Sequence, residues 1–186
     1  MDSLILILFG MIIVICLIFG IYTILYNKIQ DYTIRINEVE SMIDSNLRSK
    51  YDYINKCISI IKGTKELEEE LDPNIFNEFI RLKTQKISNF DLDRKLVDTE
   101  LLLTNLKEKH PIIKDNEEIK KTTKKIEDSD ENLNVNIEYY NKNIAEYNKL
   151  IHLFPTNIIA KLSKQQEKLF FDRKDMSDDD YNDFKL

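Results

Sequence analysis

Glycine and proline are scarce in this chain of 186 residues, at three each, and so are cysteine and histidine, at two each. Three scattered glycines build no phosphate-cradling loop, and neither GxxxxGK[ST] nor GxGxxG occurs in the sequence. So few turn formers, with no strand-hairpin signal and 32% charged residues, exclude a turn-rich β fold and favour long helices. Two cysteines build no disulfide framework. Cys16 lies inside an apolar run and Cys57 beyond it, so the two are not expected to pair, in keeping with a reducing compartment.

The same scarcity bounds the chemistry. His110 and His152 are far apart and have no neighbour at metal-ligand spacing, so surface or helix-end roles are expected, with no metal or other cofactor. Cys57 has no setting that marks a nucleophile and is expected to be a half-buried thiol. Asp128, Asp130 and Glu131 sit among lysines and read as ordinary surface pairing. With no catalytic constellation, no enzymatic activity and no small-molecule substrate are expected. The 27 basic residues do not exceed the 33 acidic ones, which argues against nucleic acid as a partner.

What the chain does have is a charge-free run from Leu4 to Tyr26, "LILILFGMIIVICLIFGIYTILY". As a helix it is ~34 Å long at about 1.5 Å per residue, enough to cross a hydrocarbon core of about 30 Å. All its backbone groups are then satisfied internally, as the lipid interior demands. A cleaved signal peptide fits less well, because only Asp2 precedes the run and no small-x-small site follows it. No Lys or Arg precedes the run, whereas Lys28, Arg35, Arg48 and Lys50 follow it. The positive-inside rule then puts the N-terminus outside and the rest in the cytoplasm, a single-pass protein of the cell membrane.

Beyond the run, Ile29, Tyr32, Ile36, Val39, Ile43, Leu47, Tyr51, Ile54, Ile58 and Ile61 recur at steps of three or four. This is one amphipathic stripe on a helix continuous with the membrane segment, stopping at Gly63. Asp72-Pro73 reads as the start of a second helix, with Ile75, Phe76, Phe79, Ile80 and Ile87 on one side. A third begins near Asp91 or Asp93 and carries Leu96, Val97, Leu101, Leu103 and Leu106, up to the break at Pro111. A fourth runs from about Lys114 to Phe154. The expected fold is all-α: an N-terminal transmembrane helix continuing into a long antiparallel up-down bundle of about four helices. The expected organisation is an anchor at 1–27, the bundle at 28–172 and an acidic, disordered tail at 173–186.

Within the fourth helix, Ile119, Ile126, Leu133, Tyr140, Tyr147 and Phe154 share a heptad position, and Ile137, Ile144 and Ile151 fall between them. Both tyrosines of the repeated Tyr-Asn pair thus lie in a packing seam, their hydroxyls free to reach a polar partner. Asn134, Asn141 and Asn148 follow in register, either as a polar ladder for a partner helix or simply as a solvated line. Phe154-Pro155 ends the helix, and Thr156 is expected to cap a short one carrying Ile158, Ile159 and Ala160. "KKTTKK" sets Lys120 with Lys124 and Lys121 with Lys125, for contact with anionic lipid or an acidic partner, or as a plain solvated face.

In order along the chain, an apolar helix leading into Tyr26-Asn27, then "IDSNLRSKYD", "KEKHPIIKDN", Glu131 ahead of "YYNKNIAEYNKLIHLFPTNIIAKL", and "LFFD" resemble the LemA family of membrane-anchored bacterial proteins. The likeness spans about residues 1–172 and is most specific in its last third. Departures include Ile137, where the family often has arginine, and "KLSKQQ", which lacks an expected glycine and phenylalanine. The resemblance implies a long antiparallel bundle, no established enzymatic activity and, by analogy with a relative in magnetosome formation, a role in organising membranes. The reading is a non-enzymatic scaffold or interaction module at the lipid bilayer, binding a protein partner or itself as a homo-oligomer. The alternative is a regulatory adaptor for a membrane enzyme such as a protease or transporter.

Overall fold

The computed structural model describes residues 2–64 and 73–172, with side chains at 3–64 and 77–172. The expected Asp72 cap, the faces of Ile75 and Phe76, and the acidic tail lie outside the described residues. Of the described residues, 84% are helical. Six helices and no strand occur among the described residues: α1 (Asp2–Lys62), α2 (Pro73–Arg81), α3 (Asn89–Lys109), α4 (Pro111–Lys114), α5 (Glu117–His152) and α6 (Thr156–Leu162). This is an all-α bundle, and its apolar N-terminal run continues without a break into the amphipathic stripe as one helix.

Every residue of that stripe is buried except Tyr32, which is half-buried. Steps of three and four keep the side chains on one track of a helix with about 3.6 residues per turn, so one face is buried from Ile29 to Ile61. α1 ends before Gly63, whose N–H donates to the Ser59 carbonyl at 3.2 Å. No glycine has a positive φ, so this stop does not use the left-handed freedom of glycine.

The described residues fall into two compact units, one within 2–40 and 138–170, the other within 41–137 and 171–172. In the second unit α1 and α5 run antiparallel, since Lys56 meets Glu118 and Lys50 meets Asp130. α3 runs in the same sense as α1: Lys50 meets Glu100, while Cys57 and Ile61 line one cavity with Leu103 and Lys107. The rings of Tyr51 and Phe79 stack at 4.6 Å and fix α2 to α1. Phe171 packs edge-on against Phe90 at 5.9 Å.

Several local expectations are corrected. Ser88 caps α3, in place of Asp91 or Asp93: its Oγ accepts the Asp91 N–H at 3.1 Å and donates to the Asp91 carboxylate at 2.6 Å. Asp93 is instead buried on the inner face with Leu92, Leu96, Thr99 and Leu103. Val97 and Leu101 are exposed, as is Ile80 of α2, whereas Leu82 is buried. α5 starts at Glu117 because the Asn116 side chain accepts the N–H groups of Glu118 and Ile119 at 2.9 and 3.1 Å.

α5 ends at His152, and Phe154 is 79% exposed, outside the seam in which the heptad count places it. Pro155 cannot continue the helix, so the chain has already turned by Phe154. Thr156 does not cap α6. Its hydroxyl is within bonding distance of the Leu150 and Leu153 carbonyls, at 2.5 and 2.7 Å, and so satisfies the end of α5.

α6 closes with a Schellman turn: Gln165 N–H donates to Ala160 and Lys164 N–H to Lys161, at 2.9 and 3.2 Å. Lys164 occupies the left-handed position of this turn, φ 55°, in the stretch where the family resemblance leads one to expect glycine. A Cβ is disfavoured there, so Lys164→Gly is expected to raise stability by about 1 kcal/mol, read as a higher melting temperature of the full-length chain in detergent.

Candidate functional site: the apolar helix and its anchored seam

Two features of the first unit stand out chemically. One is the bare N-terminal half of α1. From Leu4 to Phe19 its large apolar side chains stay exposed, and none of its most apolar window is buried by the rest of the protein. A soluble protein rarely exposes so large an apolar surface. The helix is long and apolar enough to cross a membrane.

The other feature is the seam that the same helix enters. Ile29 and Ile36 pack with Ile144, Tyr147, Leu150, Ile151, Ile159 and Ala160, and Tyr22, Leu25, Tyr26, Tyr32 and Tyr140 lean on this cluster half-buried. Tyr147 is 1% exposed, and its hydroxyl reaches Gln165 Oε1 at 2.9 Å and the Gln166 carbonyl at 3.2 Å. Burial raises its phenol pKa, and burial followed by the nearby Glu40 charge raises that of Tyr140.

Asn148 does not face a partner helix. Its side-chain amide donates to the Lys168 carbonyl at 2.9 Å and its oxygen accepts the Lys168 N–H at 3.0 Å, as a strand neighbour would. With Tyr147 and the His152–Glu167 pair, it straps residues 165–168 along α5. No sequence pattern pointed to this strap, since Gln165 to Lys168 carry no periodicity; the in-register Asn was the signal, and it was read outward. Of the rest of that line, Asn141 is half-buried and Asn134 exposed. Asn27 is exposed, beside the half-buried Tyr26. Pro155 is exposed at the corner.

The lysines of "KKTTKK" lie on the outer face of α5 in the second unit, all exposed. Lys120 pairs with Glu117 at 2.9 Å, and Lys125 sits over the Tyr53 ring at 5.5 Å. Half of the run is thus engaged within the protein.

One buried charge was missed altogether. Lys50 is fully buried on the core face of α1, with its ammonium 2.7 Å from both Glu100 and Asp130. The triad ties α1, α3 and α5 together, and the carboxylates are about one-quarter to one-third exposed at 26% and 31%. Nearby, Cys57, Leu103, Thr104, Lys107, Thr123 and Ile126 line a cavity of ≈ 20 Å³, room for one water. Burial pushes the Cys57 thiol above its ordinary range, with Lys107 and Lys56 opposing weakly. A thiol raised on folding stabilises fully below its unfolded pKa and loses that contribution as pH rises toward the folded value. Alkylation of Cys57 is therefore expected to lag far behind that of an unfolded control at mildly alkaline pH, measured by mass spectrometry of the modified peptide.

Among the described residues, no group of three or more His, Cys, Asp and Glu is placed to hold a metal ion. The arrangement offers packing surfaces and an apolar helix.

These features define a helical bundle built on a helix fit to cross a membrane. The sequence matches the LemA family over residues 39–182, most of the chain, and the protein belongs to that family. The LemA family is not a known enzyme family. No curated protein matches the chain.

Proposed function

We propose that this protein is a non-enzymatic, single-pass membrane scaffold, with its N-terminus outside and its bundle in the cytoplasm. The observation that carries the reading is the continuity of α1: one helix presents a bare apolar half and then a half whose stripe is buried in the bundle. A rigid connection of this kind fixes the bundle to the bilayer without a flexible linker. The basic residues that follow the run support this orientation. The bundle then serves as an interaction module for a second copy or another membrane protein.

In-cell crosslinking of the full-length protein, followed by mass spectrometry of the adducts, tests this role. Recurrent adducts, either to itself or to one membrane protein, are the expected result. Uncrosslinked monomer throughout, in cells expressing the protein at native level, would overturn the interaction role.

A further inference from the structure

The first unit ends in an apolar corner that its own core does not cover. Leu153, Phe154, Ile158 and Leu162 are 51%, 79%, 50% and 69% exposed on consecutive turns of the α5–α6 junction. Ile159 and Ala160, on the opposite side of α6, are buried in the cluster. Short as it is, α6 is amphipathic with its second apolar face pointing out.

Its level along α1 follows from register. α1 and α5 are antiparallel helices with the same rise per residue, and Glu40 lies close enough to Tyr140 to act on its phenol. Counting from that pair brings Ile29 opposite Ile151, one residue before the end of α5. The packing agrees: Tyr22, Leu25 and Tyr26 lean on the cluster that holds Ile151, Ile159 and Ala160. The corner therefore lies on the apolar-run side of Lys28, the first charge after that run. At this level α1 is still apolar, and Tyr22 and Tyr26 stack at 6.0 Å, as an aromatic belt at a membrane interface would place them.

We propose that the α5–α6 corner is an interfacial foot, with Leu153, Phe154, Ile158 and Leu162 seated in the headgroup–acyl boundary of the leaflet from which α1 emerges. The occupant is lipid, because the exposed patch lies at a level where α1 is still apolar and its tyrosines lean on the same cluster. Lys149 and Lys161, both exposed, flank the corner and reach the headgroups along their aliphatic stems. The first unit is thereby held at the bilayer in two places, by α1 and by the corner. This inference rests on the anchor reading above.

The chain has no tryptophan, so a single introduced one reports its own surroundings. Full-length Phe154→Trp, Phe9→Trp and Tyr139→Trp variants are reconstituted into phosphatidylcholine–phosphatidylglycerol vesicles in which part of the lipid is brominated near the head of the acyl chain. Phe154 is exposed, so its replacement leaves the core intact. The proposal expects the Phe154→Trp emission to be blue-shifted and quenched roughly twofold by the brominated lipid, with Tyr139→Trp unaffected. Quenching of Phe9→Trp without quenching of Phe154→Trp overturns the foot and leaves the anchor standing. A water-like, unquenched Phe9→Trp overturns the anchor itself.

Discussion

Replacing Lys50 by methionine lowers the unfolding free energy of the full-length chain by about 3–5 kcal/mol, the cost of breaking a buried ion pair by removing one partner. The methionine fills most of the lysine volume, so the loss is electrostatic and not a cavity effect. What remains is Glu100 and Asp130, both drawn toward one buried point on α1 and no longer bridged by a cation. One consequence separates an electrostatic loss from simple loss of packing. Adding Glu100→Gln and Asp130→Asn to Lys50→Met recovers about 1 kcal/mol or more, since the two carboxylates no longer repel. Thermal melts followed by circular dichroism in detergent read the effect. A Lys50→Met loss with no recovery on neutralising the partners would contradict the triad.

Tyr147→Ala is the second large effect, about 3–5 kcal/mol, because the ring is 1% exposed in a cluster that joins α1, α5 and α6. Tyr147→Phe keeps the ring and costs only about 1 kcal/mol, the worth of a hydroxyl bonded to Gln165 and the Gln166 carbonyl. The two variants differ further in where they act. Tyr147→Phe loosens the strap without melting the seam, so hydrogen exchange should quicken at the Lys168 amide while Ile144 and Ile151 stay protected. Equal destabilisation by both variants would mean that the hydroxyl, and not the ring, dominates. Tyr140, half-buried, is expected to cost less than Tyr147 when truncated, although the heptad pattern treats the two alike.

How much of this was legible depends on how local the signal is. The α1 stripe was legible because ten apolar side chains keep helical steps between polar neighbours, although Tyr32 is only half-buried and Lys50 and Cys57 are buried as well. The α5 seam was legible through Ile151 for the same reason, and failed at Phe154 because the heptad count ran on past the turn before Pro155. The inner face of α3 was not: "LVDTELLL" is apolar on several sides, so period alone cannot choose, and the buried set includes Thr99 and Asp93 in place of Val97 and Leu101. Lys50 was hidden more deeply. A lysine in a helix reads as solvent, and Glu100 and Asp130, which make its burial tolerable, lie far along the chain. The strap at 165–168 has no period of its own and exists only because Tyr147, Asn148 and His152 offer it partners. Of its anchoring residues, Asn148 was read from the sequence as part of an outward line, Tyr147 as a seam residue whose hydroxyl reaches a polar partner, and His152 as a surface or helix-end residue.

Cysteine labelling tests most directly the proposal that α1 carries the bundle on the cytoplasmic side of a membrane. Cys16 and Cys57 are replaced by serine and alanine, and a single cysteine is placed at Val135, which is 64% exposed. Cells expressing this full-length variant are treated with a membrane-impermeant thiol reagent before and after permeabilisation, and the membranes are then washed at alkaline pH. The account predicts that the protein stays in the membrane pellet and that Val135→Cys is labelled only after permeabilisation. Labelling in intact cells would put the bundle outside, and release by the wash would remove the anchor.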